Sequence, residues 1–116
     1  MIVDDDPQFL ASTEGLLGPQ RELLFAGSAE QARNLMRTIG ADVDLALIDL
    51  NMHQDDGFAL IAEMHRNFPD LPLVAMSGVV QNTVLNSALL VGAVAALQKP
   101  ISPEWNSAIA RARAAA

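Results

Sequence analysis

Residues 44–57 read Asp-Leu-Ala-Leu-Ile-Asp-Leu-Asn-Met-His-Gln-Asp-Asp-Gly, and this stretch decides the fold. A strand-like apolar run, Asp44 to Ile48, stops on a lone carboxylate, Asp49. The same design recurs along the chain. Met1-Ile2-Val3 runs into Asp4-Asp5-Asp6, Leu71 to Met76 into Ser77, and Val94 to Gln98 into Lys99-Pro100, while Glu22 to Ala26 supplies a fifth strand-like segment. Between these runs the apolar spacing is helical. Pro7 to Leu17 places Phe9, Leu10, Thr13, Leu16 and Leu17 on one face and is expected to stop at Gly18-Pro19. Ser28 with Gln31 three residues on is a capping-box pattern, opening a helix that carries Ala32, Leu35, Met36 and Ile39 as far as Gly40. A third helix is expected from about Gly57 to Phe68, a fourth near Gln81 to Val91, and a fifth opening at Ser102-Pro103-Glu104. Strand and helix alternate throughout, which predicts an α/β fold with a parallel sheet covered by helices.

The chain of 116 residues fits one domain, and 51% apolar residues are enough for a real core. Fourteen acidic against seven basic side chains give a formal charge of -7, which argues against direct nucleic-acid binding because phosphate contacts need a basic face. The absence of cysteine removes disulfides, thiolate metal sites and thiol redox chemistry, and with no visible signal peptide it suits a cytoplasmic protein. Residues 71–98 contain no charged side chain or histidine, long enough to span a bilayer. Ser77, Gly78, Gln81, Asn82, Thr83, Asn86 and Ser87 interrupt that stretch too often for a membrane helix, so it reads as strand, helix, strand. The first strand looks clipped and the alanine-rich end ambiguous. The unit is therefore read as residues 1–116, either alone or as a fragment of a longer protein.

Parallel strands carry their chemistry at their carboxyl ends, so the four runs would bring Asp4, Asp5, Asp49, Ser77 and Lys99 to one crevice. Two carboxylates about 4 Å apart repel by roughly 4 kcal/mol at an effective dielectric near 20, so a positive group is expected among them. An all-oxygen site with few protein ligands suits Mg2+ held partly by water and phosphate. Lys99 is the only lysine in the chain and calls for a carboxylate or phosphate partner. Asp49 is the natural nucleophilic carboxylate for a covalently carried phosphoryl group, although an aspartate at a strand end also serves as a plain turn cap.

Five pieces in this order and spacing, Val3-Asp4-Asp5-Asp6-Pro7, Asp49-Leu50-Asn51-Met52, Asp56-Gly57, Ala75-Met76-Ser77-Gly78, and Gly92-Ala93 followed by Leu97-Gln98-Lys99-Pro100, carry a resemblance over essentially the whole chain. The chain resembles the receiver domain of bacterial two-component response regulators. That resemblance implies a single doubly wound, flavodoxin-like sheet of five parallel strands in the order 2-1-3-4-5, with helices on both faces. It implies that Asp49 is the phosphoacceptor and that Mg2+ is held by Asp5, Asp49 and the main-chain carbonyl of Asn51, with Asp4 acting through water. Ser77 would be the hydroxyl and Lys99 the amine that contact the phosphoryl group, and Lys99-Pro100 would be a cis bond. Asp6 is expected only as a favourable charge at the start of the first helix.

The implied function is a phosphoryl-accepting switch, fed by a sensor histidine kinase or phosphotransfer protein and controlling an output domain or partner. Its own catalysis would be limited to self-phosphorylation from a phosphodonor and slow dephosphorylation. Two positions depart from the pattern: Ala96 stands where an aromatic is usual, and His53 where many receivers have proline. Both favour a second reading, a pseudo-receiver that binds protein and is never phosphorylated, which the intact acidic set, Ser77 and Lys99 oppose. A flavodoxin-like cofactor binder lacks its phosphate loop here, and an aspartyl phosphatase would want Asp where the chain has Asn51. The uncharged fourth helix predicts a homodimer or partner contact through helix four, strand five and helix five that is more apolar than ionic, with Val84, Leu85 and Val94 as candidates unless they pack on the sheet. His65 is expected to be a surface residue.

Overall fold

A computed structural model describes residues 1–78 and 82–114. Five parallel strands lie in the order β2-β1-β3-β4-β5, where β1 is Ile2–Val3, β2 Phe25–Ala26, β3 Ala46–Asp49, β4 Leu73–Ser77 and β5 Ala95–Gln98. The connecting helices are α1 (Pro7–Leu17), α2 (Ala29–Ile39), α3 (Gly57–Asn67) and α4 (Asn82–Val91), with α5 (Glu104–Ala114) closing the chain. The order expected from the resemblance is the order observed.

Alternate strand residues face opposite helical layers, and this is why the strand runs are apolar throughout. Val3, Ala46, Ile48, Leu73 and Ala75 pack with Ala29, Ala32 and Met36 of α2, Leu60, Ile61 and Met64 of α3, and Ala88 of α4. Ile2, Leu47, Val74 and Met76 pack on the other side with Leu17 of α1 and with Trp105, Ile109 and Ala112 of α5. The strand order reverses between β1 and β3, neighbouring strands from which the connections leave on opposite sides of the sheet. That is where an open α/β sheet forms its crevice.

Several boundaries differ from the sequence reading. The second strand shrinks from Glu22–Ala26 to two residues; Glu22 and Leu24 are exposed on an edge with neighbours on one side only. The first two helices end at Leu17 and Ile39 as expected, capped by Gly18 and Gly40. Both are right-handed (φ -59 and -56), and each helix tightens into a 3-10 turn, Gly18–Gln20 and Gly40–Asp42. Ser28 does cap α2, accepting the Gln31 N–H, while Gln31 Oε1 accepts from Gly27 N–H one residue before the cap. At α5 the Trp105 N–H bonds the Ser102 carbonyl. The expected first residue of the fourth helix, Gln81, lies outside the described residues. Gly92, at φ +127, is the turn between α4 and β5, and a β-carbon there would meet His65 Cγ at 2.6 Å. His65 is exposed as expected, yet this glycine is packed against it.

Candidate functional site

Strand register aligns the four chemistry-bearing ends. The Asp4 N–H donates to the Ala26 carbonyl, prolonging the β1–β2 ladder into the acidic cluster. Asp49 is the last residue of β3 and pairs with Met76, one residue before Ser77 closes β4. Ser77 pairs in turn with Gln98, and the Lys99 N–H donates to the Ser77 carbonyl at 2.8 Å. The Lys99-Pro100 peptide is cis.

Carboxylate oxygens of Asp4, Asp5 and Asp49 lie within 4.8 Å of one another. Lys99 Nζ stands between two of them, 2.6 Å from Asp4 Oδ2 and 3.4 Å from Asp49 Oδ1. Asp4, Asp49 and Ser77 are buried, whereas Asp5 and Lys99 are half-buried. Burial, reinforced by the Asp4 charge, pushes the Asp49 carboxyl above its ordinary range despite the pull of Lys99. Burial would lower the Lys99 amine, but its hydrogen bond to Asp4 and the charges of Asp49 and Asp4 hold it above its ordinary value. The His53 backbone N–H, at 2.7 Å from Asp5 Oδ2, keeps Asp5 below the usual carboxylate range.

Three carboxylates against one ammonium leave two negative charges in a small volume. The donors are all hard oxygens, and one of the carboxylates is held ionised at half-exposure. A divalent, oxygen-preferring cation fits that donor set.

Local structure supports this cluster from below. Asp6 is the N-cap of α1, its carboxylate accepting the Gln8 N–H, which gives it a capping bond beyond the first-turn charge expected of it. Asp56 caps α3 through the N–H groups of Phe58 and Ala59. Asp55 accepts the Ala29 N–H at 3.0 Å, tying the loop after Asp49 to the start of α2.

The structure gathers every site residue singled out from the sequence, and it adds contacts that sequence patterns do not carry. Asn51 Nδ2 donates to Ser77 Oγ at 3.0 Å, so the loop after β3 and the end of β4 are linked through side chains. His53 extends its ring into solvent, yet its Nδ1 lies 3.0 Å from Asp5 Oδ2. Phe9 of α1 lies under Lys99, the ammonium 4.3 Å from the ring centroid. Away from the cluster, Val84 packs partly on the core and Val94 is 49% exposed, while Leu89 and Leu90 of α4 are 48% and 86% exposed.

Residues 1–109 match the family described as "Response regulator receiver domain". The chain belongs to that family. It is 32% identical over 102 residues to the two-component response regulator ARR11 of Arabidopsis thaliana, covering 87% of this chain and 19% of that protein. It thus spans a fifth or less of the length of the first curated relatives it matches. Among solved structures, the CheY-like response regulator receiver domain protein of Methanospirillum hungatei JF-1 superposes with a TM-score of 0.87 at 25% identity, covering 98% of this chain and 91% of that one. A response regulator protein from Burkholderia pseudomallei, solved with a phosphorylated aspartic acid, a calcium ion and citrate, superposes with a TM-score of 0.77 at 25% identity, covering 92% and 62%. Among the described residues no helix is long and apolar enough to cross a membrane.

Proposed function

We propose that residues 1–116 form one receiver unit in which Asp49 accepts a phosphoryl group from a sensor histidine kinase or phosphotransfer protein, in the cytoplasm, and thereby switches an output domain or partner. The observation that carries this reading is the convergence of Asp4, Asp5 and Asp49 within 4.8 Å around the Lys99 ammonium. The phosphorylated aspartic acid and calcium ion of the Burkholderia protein support it by analogy.

Asp5, Asp49 and the main-chain carbonyl of Asn51 would hold Mg2+, with Asp4 reaching it through water. When bound, that ion neutralises charge on the transferred oxygens. The residues of the chain do the rest. Asp49, with one oxygen beside Lys99, is the attacking carboxylate, bonding to phosphorus as the donor's own bond to phosphorus breaks. Lys99 turns from Asp4 and Asp49 toward the incoming phosphoryl oxygens, and the Ser77 hydroxyl donates to another of them. Asp4 stays paired with Lys99 before transfer and keeps the ammonium at the cluster. The added charge on Asp49 favours whichever conformation best satisfies it, by an energy equal to its differential affinity for the two states. The exposed apolar side chains Leu89, Leu90 and Val94 on α4 and its junction with β5 are the surface we assign to a partner or a second copy.

Intact mass after incubation with acetyl phosphate and Mg2+ tests the reading. A gain of one phosphoryl group, about 80 Da, absent from Asp49→Asn, is the expected result. A folded, Mg2+-binding chain that gains no mass is a pseudo-receiver instead.

A further inference from the structure

Lys99 is the only lysine and Trp105 the only tryptophan in the chain, and Phe9 lies between them. The Lys99 ammonium is 4.3 Å from the centroid of the Phe9 ring, inside the distance of about 6 Å at which an aromatic face attracts a cation. The same ring meets the indole of Trp105 at 6.0 Å between centroids, tilted by 53°. Trp105 is buried in the first turn of α5, and Phe9 is partly buried on the same side of the sheet. Strand β5 offers no ring of its own, since its side chains are Ala95, Ala96, Leu97 and Gln98.

This arrangement constrains the ammonium. Its nitrogen is paired with Asp4 Oδ2 and Asp49 Oδ1, and the Phe9 ring lies against it as well. A cation held by two carboxylates and a ring has a defined place from which to leave when Asp49 acquires further negative charge. Its departure uncovers the face of a ring that meets a buried indole, at a tilt, at the start of a helix.

We infer that Phe9 is a positioning residue for Lys99, and that the Phe9–Trp105 pair carries displacement of the ammonium to α5. The inference rests on the reading of Asp49 as phosphoacceptor. Phe9 meets Lys99 and Trp105, and its part in the transfer runs through Lys99.

The single lysine makes the test unambiguous, because lysine labelled with 13C at its ε-carbon yields one resonance, and tryptophan emission likewise has one source. Beryllofluoride with Mg2+ serves as the phosphoryl mimic, and its 19F signal reports adduct formation independently. In the wild-type chain the Lys99 ε-methylene protons are expected upfield of the ordinary lysine position, shielded by the ring, and to move toward that position as the adduct forms, together with a change in Trp105 emission. Phe9→Leu, which keeps an apolar side chain, should abolish the upfield offset and the emission change and slow adduct formation about five-fold. Phe9→Tyr should restore all three. An ordinary Lys99 resonance in the folded wild-type chain overturns the inference without any variant. So does a Phe9→Leu chain whose emission still responds to adduct. If the 19F adduct never forms in the wild type, the phosphoacceptor reading falls and the relay with it; an adduct that leaves the Lys99 resonance unmoved refutes the relay alone.

Discussion

The backbone of Gly57 lies against the backbone of Asp49 so closely that a β-carbon on the glycine would stand 2.2 Å from the Asp49 carbonyl oxygen and 2.7 Å from Leu50 Cα. Both obstacles are main chain, so no rotamer change relieves them. The first residue of α3 is in this way the support on which the proposed phosphoacceptor rests.

Gly57→Ala must therefore move the end of β3 or the start of α3. The expected cost is about 2 kcal/mol or more in unfolding free energy by urea titration, together with loss of phosphoryl acceptance even where the chain still folds. A variant with wild-type stability and wild-type acceptance would show that the two backbones separate freely.

Asp49 has a raised pKa, so the folded chain binds its proton more tightly than the unfolded chain does. Stability contributed by this group falls as pH rises from the ordinary value of 3.8 toward the raised one, and the full cost is present at neutral pH. Asp49→Asn, measured with chelator to exclude metal, should melt about 4 °C or more above the wild type at pH 7. The gap should close as pH falls below 3.8. A less stable Asp49→Asn chain at pH 7 would mean that the attraction to Lys99 outweighs burial and the Asp4 charge.

Lys99→Met leaves the fully buried Asp4 without its ammonium. Breaking a buried pair from one side costs about 3 kcal/mol, and in chelated buffer the urea midpoint should fall accordingly. Millimolar Mg2+ should recover part of the loss, since a cation among the carboxylates replaces the missing charge. Because the Lys99 amine is raised, the stability it contributes is complete below the ordinary value of 10.5 and disappears as pH climbs through the higher folded value. Equal midpoints for the two chains without Mg2+ would remove this pair from the electrostatic balance.

Asn51 is assigned two separable roles, a main-chain carbonyl for the metal and a side-chain donor to Ser77. Asn51→Ala keeps the carbonyl, so Mg2+ affinity should stay within about two-fold of wild type, while loss of the donor to Ser77 slows acceptance from acetyl phosphate about three-fold. Ser77→Ala should slow it about ten-fold or more, as expected for a group that meets the developing charge itself. Reversal of that ranking would place the amide, rather than the hydroxyl, against the phosphoryl group.

The fold was legible in the sequence because each apolar run ends on a residue with distinct chemistry, and parallel pairing carries those ends to one edge of the sheet. Asp4, Asp49, Ser77 and Lys99 could be brought together on that ground alone. Strand limits were less legible, since Glu22 and Leu24 look strand-like in sequence but lie on an edge where pairing stops at Phe25. Gly18 and Gly40 announced helix ends without revealing that the backbone stays right-handed through them. Phe9 read as one member of an amphipathic face, and nothing in helical spacing says that its ring meets a lysine 90 residues onward. That contact, like Asn51 with Ser77 and Gly57 with Asp49, depends on the angle at which packed elements cross.

Borohydride reduction of the chain after acetyl phosphate and Mg2+ treatment, followed by peptide sequencing in the mass spectrometer, tests the phosphoacceptor directly. An acyl phosphate is reduced to an alcohol where an ordinary carboxylate is not, so homoserine at position 49, and at no other aspartate, is the predicted result. Homoserine at Asp4 or Asp5, or unmodified aspartate at all three positions, would contradict the assignment of Asp49.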